Sequence, residues 1–141
     1  MTGPGPGKIS LKNTRVIIDE MGHQRELENA VVYIHLKGYS RARVTHIDIE
    51  HDELNKIIPA RSGGFYKIRR EDGNLVLDLS RLIRGLRIII DNNMLASILK
   101  PYESSWCYVG GKPGGIYIGL KKYLIERLEK LAEKFQEKDK W

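Results

Sequence analysis

The histidines and carboxylates are where catalytic chemistry would first be sought in this chain. His46, Asp48 and Glu50 fall at alternate positions, and His51 follows directly. On a strand, alternate residues project from one face, so these side chains could hold a divalent cation and support metal-assisted phosphodiester hydrolysis. The same alternation is what the solvent side of any half-buried strand displays. None of the four histidines, His23, His35, His46 and His51, sits in a Gly-x-Ser-x-Gly, His-Glu-x-x-His or phosphate-loop pattern. The stretch Gly110-Gly-Lys-Pro-Gly-Gly115 is flexible and basic. It lacks the Gly-Lys-Ser/Thr ending that places a lysine and a magnesium-binding hydroxyl on a nucleotide. The expectation is a non-enzyme with no catalytic residue, no bound metal and no cofactor, a metal-dependent nuclease being the enzymatic alternative.

Binding chemistry is better represented. Single-stranded nucleic acid is held by cations that follow phosphates and by aromatic faces on which unstacked bases lie. In Phe65-Tyr66-Lys67-Ile68-Arg69-Arg70, strand alternation puts Phe65, Lys67 and Arg69 on one face and Tyr66, Ile68 and Arg70 on the other. Arg81, Arg84 and Arg87 recur at three-residue steps, a basic ridge if the segment is helical. Trp106 and Tyr108 would share a strand face near Lys112, with Tyr117 beyond the glycines, and Arg43 opens the alternating run before His46. The expected nucleic-acid site is therefore Arg43, Phe65, Tyr66, Lys67, Arg69, Arg70, Arg81, Arg84, Arg87, Trp106, Tyr108 and Lys112. Any one of the aromatics is more often a core residue than a stacking platform, so the conjunction carries the reading.

The elements that must position these residues follow from periodicity. Residues 1–8, rich in Gly and Pro, read as a flexible arm. Residues 26–36 mix a helical opening with a β-branched run and are read as helix. Arg41 to Glu50 alternates as a half-buried strand, and Asp52 to Ile58 makes a short helix capped by Asp52 and stopped before Pro59. Phe65 to Arg70 and Leu75 to Leu79 flank Asp72-Gly73 and predict a β-hairpin. From Ser80, Leu82, Leu86 and Ile89 recur at helical spacing, and Met94 to Lys100 forms a second helical run ended by Pro101. Trp106 to Val109 reads as a strand.

The layout is then a nucleic-acid-binding unit over residues 9–109, a Gly-rich linker over 110–115 and an amphipathic helix over 116–141. Leu120, Leu124, Leu128, Leu131 and Phe135 lie at steps of four or three and form one apolar stripe, with Glu126 and Lys130 paired on the polar side. Such a stripe must be buried, either on its own domain or in a short coiled coil joining copies into a dimer or tetramer. The fold class expected is α+β, with helices packed on an antiparallel sheet and a C-terminal amphipathic helix.

Composition sets the outer bounds. A chain of 141 residues fits one domain, and 24 Lys and Arg against 18 Asp and Glu leave a net charge of +6 that attracts polyanions. The single cysteine, Cys107, excludes an intramolecular disulfide and a cysteine-based zinc site. No apolar run approaches the roughly 18 residues of a membrane span. A cytoplasmic protein without membrane association is expected, and its abundant Arg, Lys, Glu and Ile resemble thermophile usage.

Three segments carry a family resemblance: Ser80-Arg-Leu-Ile-Arg-Gly-Leu-Arg87, Trp106-Cys-Tyr108, and the stripe from Leu120 to Phe135. In layout the chain resembles the archaeal ThermoDBP and ThermoDBP-related proteins, which bind single-stranded DNA without an OB-fold. The resemblance implies helices on an antiparallel sheet, oligomerisation through the C-terminal helix, and a cleft of basic and hydrophobic residues holding the strand. The function expected is non-catalytic binding of single-stranded DNA with little sequence specificity, with RNA binding of the same type as an alternative. A protein-interaction module built on the C-terminal helix is the other alternative.

Overall fold

The computed structural model describes residues 7–37 and 43–120. Ten strands form one antiparallel sheet: β1 (Gly7–Leu11), β2 (Arg15–Glu20), β3 (His23–Glu26), β4 (Val31–Lys37), β5 (Arg43–Glu50), β6 (Gly63–Glu71), β7 (Asn74–Asp78), β8 (Leu86–Asp91), β9 (Trp106–Lys112) and β10 (Gly115–Leu120). Their spatial order is β1-β4-β5-β10-β9-β6-β7-β8-β2-β3. Two short helices, α1 (Leu54–Ile57) and α2 (Asn93–Ile98), and one 3₁₀ turn at Lys100–Tyr102 complete the set.

The order of strands dictates the shape. β1 and β2 are joined through residues 12–14, and β3 and β4 through residues 27–30, yet each pair straddles the two ends of the sheet. A link of three residues reaches only about 14 Å when extended, so the sheet must roll until its ends approach, giving a half-barrel. The corner at residues 12–14 is tied down by side chains. Asn92 caps α2 by accepting from the Leu95 amide at 2.9 Å and donates to Thr14 Oγ1 at 2.7 Å.

Rolling gives the sheet a dry inner face. Val16, Ile18, Val32, Ile34, Ile47, Ile49, Ile68, Leu75, Leu77, Ile88, Ile90, Val109, Ile116 and Ile118 all project there, joined by Leu54 and Ile58 from α1 and Leu95 and Leu99 from α2. One cluster therefore serves every strand but β3, whose residues are exposed, as strand alternation requires when one face is buried. Cys107 is part of it. Its thiol donates to the Tyr66 carbonyl at 3.3 Å, and burial pushes its pKa up to about 12.

Three of the expectations from sequence hold in this frame. The Asp72-Gly73 hairpin joins β6 to β7, both turn residues having positive φ (52° and 78°), the signature of a type I′ turn. The alternating run becomes β5, and short helices form within residues 52–58 and at Asn93–Ile98, one residue ahead of the run expected over 94–100, although Glu53, not Asp52, and Asn92 stand at their N-caps.

The α+β class is corrected: the described residues form a sheet with only two short helices, not helices packed on a sheet. Of the segment read as helix over 26–36, Glu26 ends β3, residues 27–30 connect, and the rest is β4, because Val31, Val32, Tyr33 and Ile34 fit a pleated surface better than a helix. Residues 80–90 match helical spacing by coincidence. Gly85 at φ +72° ends a tight turn, Leu82 and Ile83 are exposed, and Leu86–Asp91 is a strand inside the sheet. Gly7 and Lys8, assigned to a flexible arm, belong to β1.

The 110–115 linker is likewise a hairpin. Pro113-Gly114 forms the two-residue turn, with proline's fixed φ followed by Gly114 at φ +83°, as a type II turn requires. The flanking glycines serve close approach and not flexibility: a Cβ on Gly111 would collide with the Pro59 carbonyl, and one on Gly115 with the Ile49 carbonyl. Asn55 of α1 locks the turn by donating to the carbonyls of Lys112 (2.9 Å) and Gly115 (2.8 Å). Residues 116–120, assigned to the C-terminal helix, are strand β10, and Leu120 is core. Coiled-coil association is corrected with them, in favour of a sheet-rich fold with no long helix among the described residues. Leu124, Leu128, Leu131 and Phe135 lie outside the described residues.

No helix among the described residues is long and apolar enough to cross a membrane. The close packing at the β9–β10 hairpin gives a direct test. Gly115→Ala should cost about 3 kcal/mol or more in urea unfolding, because backbone must move to admit the methyl, while Gly114→Ala is strained only by its φ. Equal, small losses at both positions would show the hairpin to be loosely held.

Candidate nucleic-acid interface

The outer face divides into two halves of different chemistry. Along β6 beyond Lys67 and on β7, β8, β2 and β3 the outward arginines are paired with carboxylates. Arg69 meets Asp78 (3.4 Å), Arg15 meets Glu26 (2.9 Å) and Asp91 (3.3 Å), and Arg87 joins Glu71 to Asp19. Val76 and Ile89, which face outward by strand alternation, are buried among these pairs. Asp19 is itself buried. It accepts from Gln24 (3.1 Å), from the Gly22 amide (2.8 Å) and from Arg87 (3.1 Å), and these bonds, led by that of Gln24, hold its carboxyl below its ordinary value.

The half formed by β5, β10, β9 and β6 is aromatic. Register places His46, Gly119, Tyr108 and Phe65 in one row across these four strands, and Asp48, Tyr117, Gly110 and Gly63 in the next. The glycines make a floor. A Cβ on Gly110 would lie 2.7 Å from both the Tyr108 and Tyr117 rings, and one on Gly63 would strike the Tyr108 hydroxyl. Both tyrosines therefore lie across bare backbone instead of standing off the sheet. Their centroids are 5.6 Å apart, and Phe65 meets Tyr108 edge-on at 5.5 Å. Phe65 is 50% exposed, so the row ends in an accessible ring.

Cations stand at the Phe65 end. Trp106 pairs with Lys67 across β9 and β6; the Lys67 ammonium sits 5.3 Å from the indole centroid and the Arg81 guanidinium 5.6 Å. Arg81 also donates to the Phe65 carbonyl at 3.2 Å. Neither Lys67 nor Arg81 forms an ion pair among the described residues. At the other end Lys112 lies 3.4 Å from Asp48 and 3.9 Å from Glu50, and Lys8 covers the Tyr33 ring at 4.0 Å.

Of the residues singled out from sequence, Phe65, Lys67, Arg81, Trp106, Tyr108 and Lys112 come together on this half of the outer face. Arg69 and Arg87 face outward on the ion-paired half, where carboxylates neutralise them. Tyr66 points into the core, and Arg70 turns to Glu103 at 3.6 Å. Arg84 is exposed in the turn before β8, so the three-step arginine ridge does not form. Arg43 opens β5 opposite Lys37. Tyr117 belongs to the platform although it was absent from the expected site, and only the identification of β10 as a strand places it there. His35 was missed as well. It stands directly across from His46, a pairing that no local pattern announces.

The ion-paired half makes a prediction about acid stability. With its pKa lowered by folding, Asp19 stabilises the protein above the ordinary carboxyl value of 3.8 and loses that contribution as pH falls through its lower folded value. Asp19→Asn should lower the urea midpoint near neutral pH, and its gap from the parent protein should shrink below about pH 3. A gap that persists undiminished in acid would assign the loss to packing and not to charge.

No family model, no curated protein and no solved structure matches the chain.

Proposed function

We propose that this is a non-catalytic, cytoplasmic protein that binds single-stranded DNA on the outer face of β10, β9 and β6, with little sequence preference. The observation that carries the reading is the run of contacting rings Tyr117, Tyr108 and Phe65, the two tyrosines lying on a glycine floor, with Lys67 and Arg81 at its Phe65 end. Every base presents a π-face, so a row of rings accepts any sequence, while stacked duplex bases offer no face to it. The cations add counterion release along the phosphates. Their position beside Trp106 is fixed by cation–π attraction on one side and, for Arg81, by the Phe65 carbonyl on the other.

Rings and cations act on different observables, which makes the reading testable. In anisotropy titrations with labelled single-stranded DNA, duplex DNA and RNA of equal length, single strands should bind best and binding should weaken as salt rises. Phe65→Ala should cost about 1–3 kcal/mol while leaving the salt slope unchanged. Lys67→Ala and Arg81→Ala should each flatten the slope of log affinity against log salt by about 0.7, the single-strand value per phosphate contact. Preference for RNA would keep the site and change its ligand. Binding that is unaltered by all three substitutions, or absent at low salt, would overturn the proposal.

A further inference from the structure

At the β4–β5 side of the same face, His35, His46 and Asp48 converge. His35 and His46 are cross-strand partners with ring centroids 3.9 Å apart, and the His35 Nε2 lies 2.5 Å from Asp48 Oδ2. One ligand atom from each of the three lies within 4.8 Å of the others. From this geometry we infer a binding site for a borderline divalent transition metal ion such as Zn(II), independent of nucleic-acid binding. Two imidazoles and one carboxylate suit such an ion, whereas magnesium and calcium take oxygen donors.

Two features beyond proximity support the site. The first is the β-bulge at Thr45. His35 pairs with His46 but Leu36 pairs with Val44, so Thr45 is the extra residue, and a bulge of this kind re-aims the side chain beside it. The second is the tautomer it sets. The Thr45 hydroxyl donates to the His35 carbonyl at 3.3 Å, so its oxygen is left to accept from His46 Nδ1–H at 3.0 Å. That leaves the Nε2 lone pair of His46 as its ligand atom, held by the kind of outer hydrogen bond that orients metal-binding histidines. Asp48 is only 7% exposed, and its second oxygen is held by Lys112 at 3.4 Å, so the carboxylate is positioned before any ion arrives.

A tetrahedral ion with bonds of about 2.0–2.2 Å needs donor separations of roughly 3.4 Å. The His35–Asp48 hydrogen bond opens to admit it, the proton on His35 Nε2 leaves to solvent while Nδ1 takes one from solvent, so that the ring ligates as a neutral imidazole, and the stacked rings splay so that both nitrogens aim at one point. Water would supply the fourth ligand. Lys112 opposes the ion, since its ammonium competes for the same carboxylate.

The full-length protein should be titrated with Zn(II) by calorimetry and with Co(II) by visible absorption. One equivalent is expected, with the d–d bands of a four-coordinate N/O site. His35→Ala and His46→Ala should each weaken binding by more than about 100-fold, beyond the 10–100-fold that loss of an outer-shell partner costs. Thr45→Val should weaken it about tenfold at unchanged stoichiometry, and Lys112→Met should tighten it. These two opposite shifts decide the matter even if a histidine variant fails to fold. Affinity that survives in His35→Ala and His46→Ala would place the ion elsewhere, at His23 or His51. That result, a parent protein that takes up no ion, or Thr45→Val and Lys112→Met shifting in the same direction, would overturn the inference.

Discussion

The structure depends on one constraint of connectivity. Two links, residues 12–14 and 27–30, each join a strand at one end of the ten-strand order to a strand at the other. An open twisted sheet of that width would hold those ends far apart, so the backbone is obliged to roll. Once rolled, the inner face has no access to water, and the alternation of each strand decides which side chains enter the core. The helices close this enclosure with Leu54, Ile58, Leu95 and Leu99. Among the described residues the core cluster lies on the inner face, so the outer face can carry other chemistry.

The outer face then differentiates by what its strands carry. Where β7, β8, β2 and β3 present arginine opposite carboxylate, the pairs neutralise one another and cover Val76 and Ile89. Exposed pairs of this kind add little stability singly, but here they anchor to a buried carboxylate, Asp19, whose hydrogen bonds are all internal. Where β9 and β10 present glycine between tyrosines, the rings settle onto backbone. A glycine in a strand normally weakens it, and the overlying ring restores the lost packing. The net charge of +6 is therefore a poor guide to where a polyanion would sit. Lys67 and Arg81, unlike Arg69 and Arg87, are held by rings and a carbonyl and keep their charge available.

The β4–β5 side shows how a local irregularity reorganises a surface. Strict alternation through β5 would set Thr45 with Ile47 and Ile49 and Val44 with His46 and Asp48. The bulge breaks that parity, sends Val44 to the core beside Ile47, and turns Thr45 to brace His46. His35, His46 and Asp48 become neighbours by this means.

What the sequence determined by itself was local: the Asp72-Gly73 turn, the alternation of β6 and of β5 from His46 on, the aromatics of 106–108, and the absence of a disulfide. These follow from φ preferences and period-two patterning, which act over a few residues. Leu82, Leu86 and Ile89 show the limit of that range, because helical spacing arose by chance in a segment whose β-branched residues and Gly85 favour turn and strand. Gly110 to Gly115 shows it again: glycine signals flexibility or close approach alike, and only the carbonyls of Pro59 and Ile49 pressing on it select the second. Tertiary structure alone decided that the rings of Phe65, Tyr108 and Tyr117 meet, that Arg69 and Arg87 are neutralised, and that His35 meets His46. Each of those facts depends on strand order and register, and these are set by the burial of the whole inner face at once.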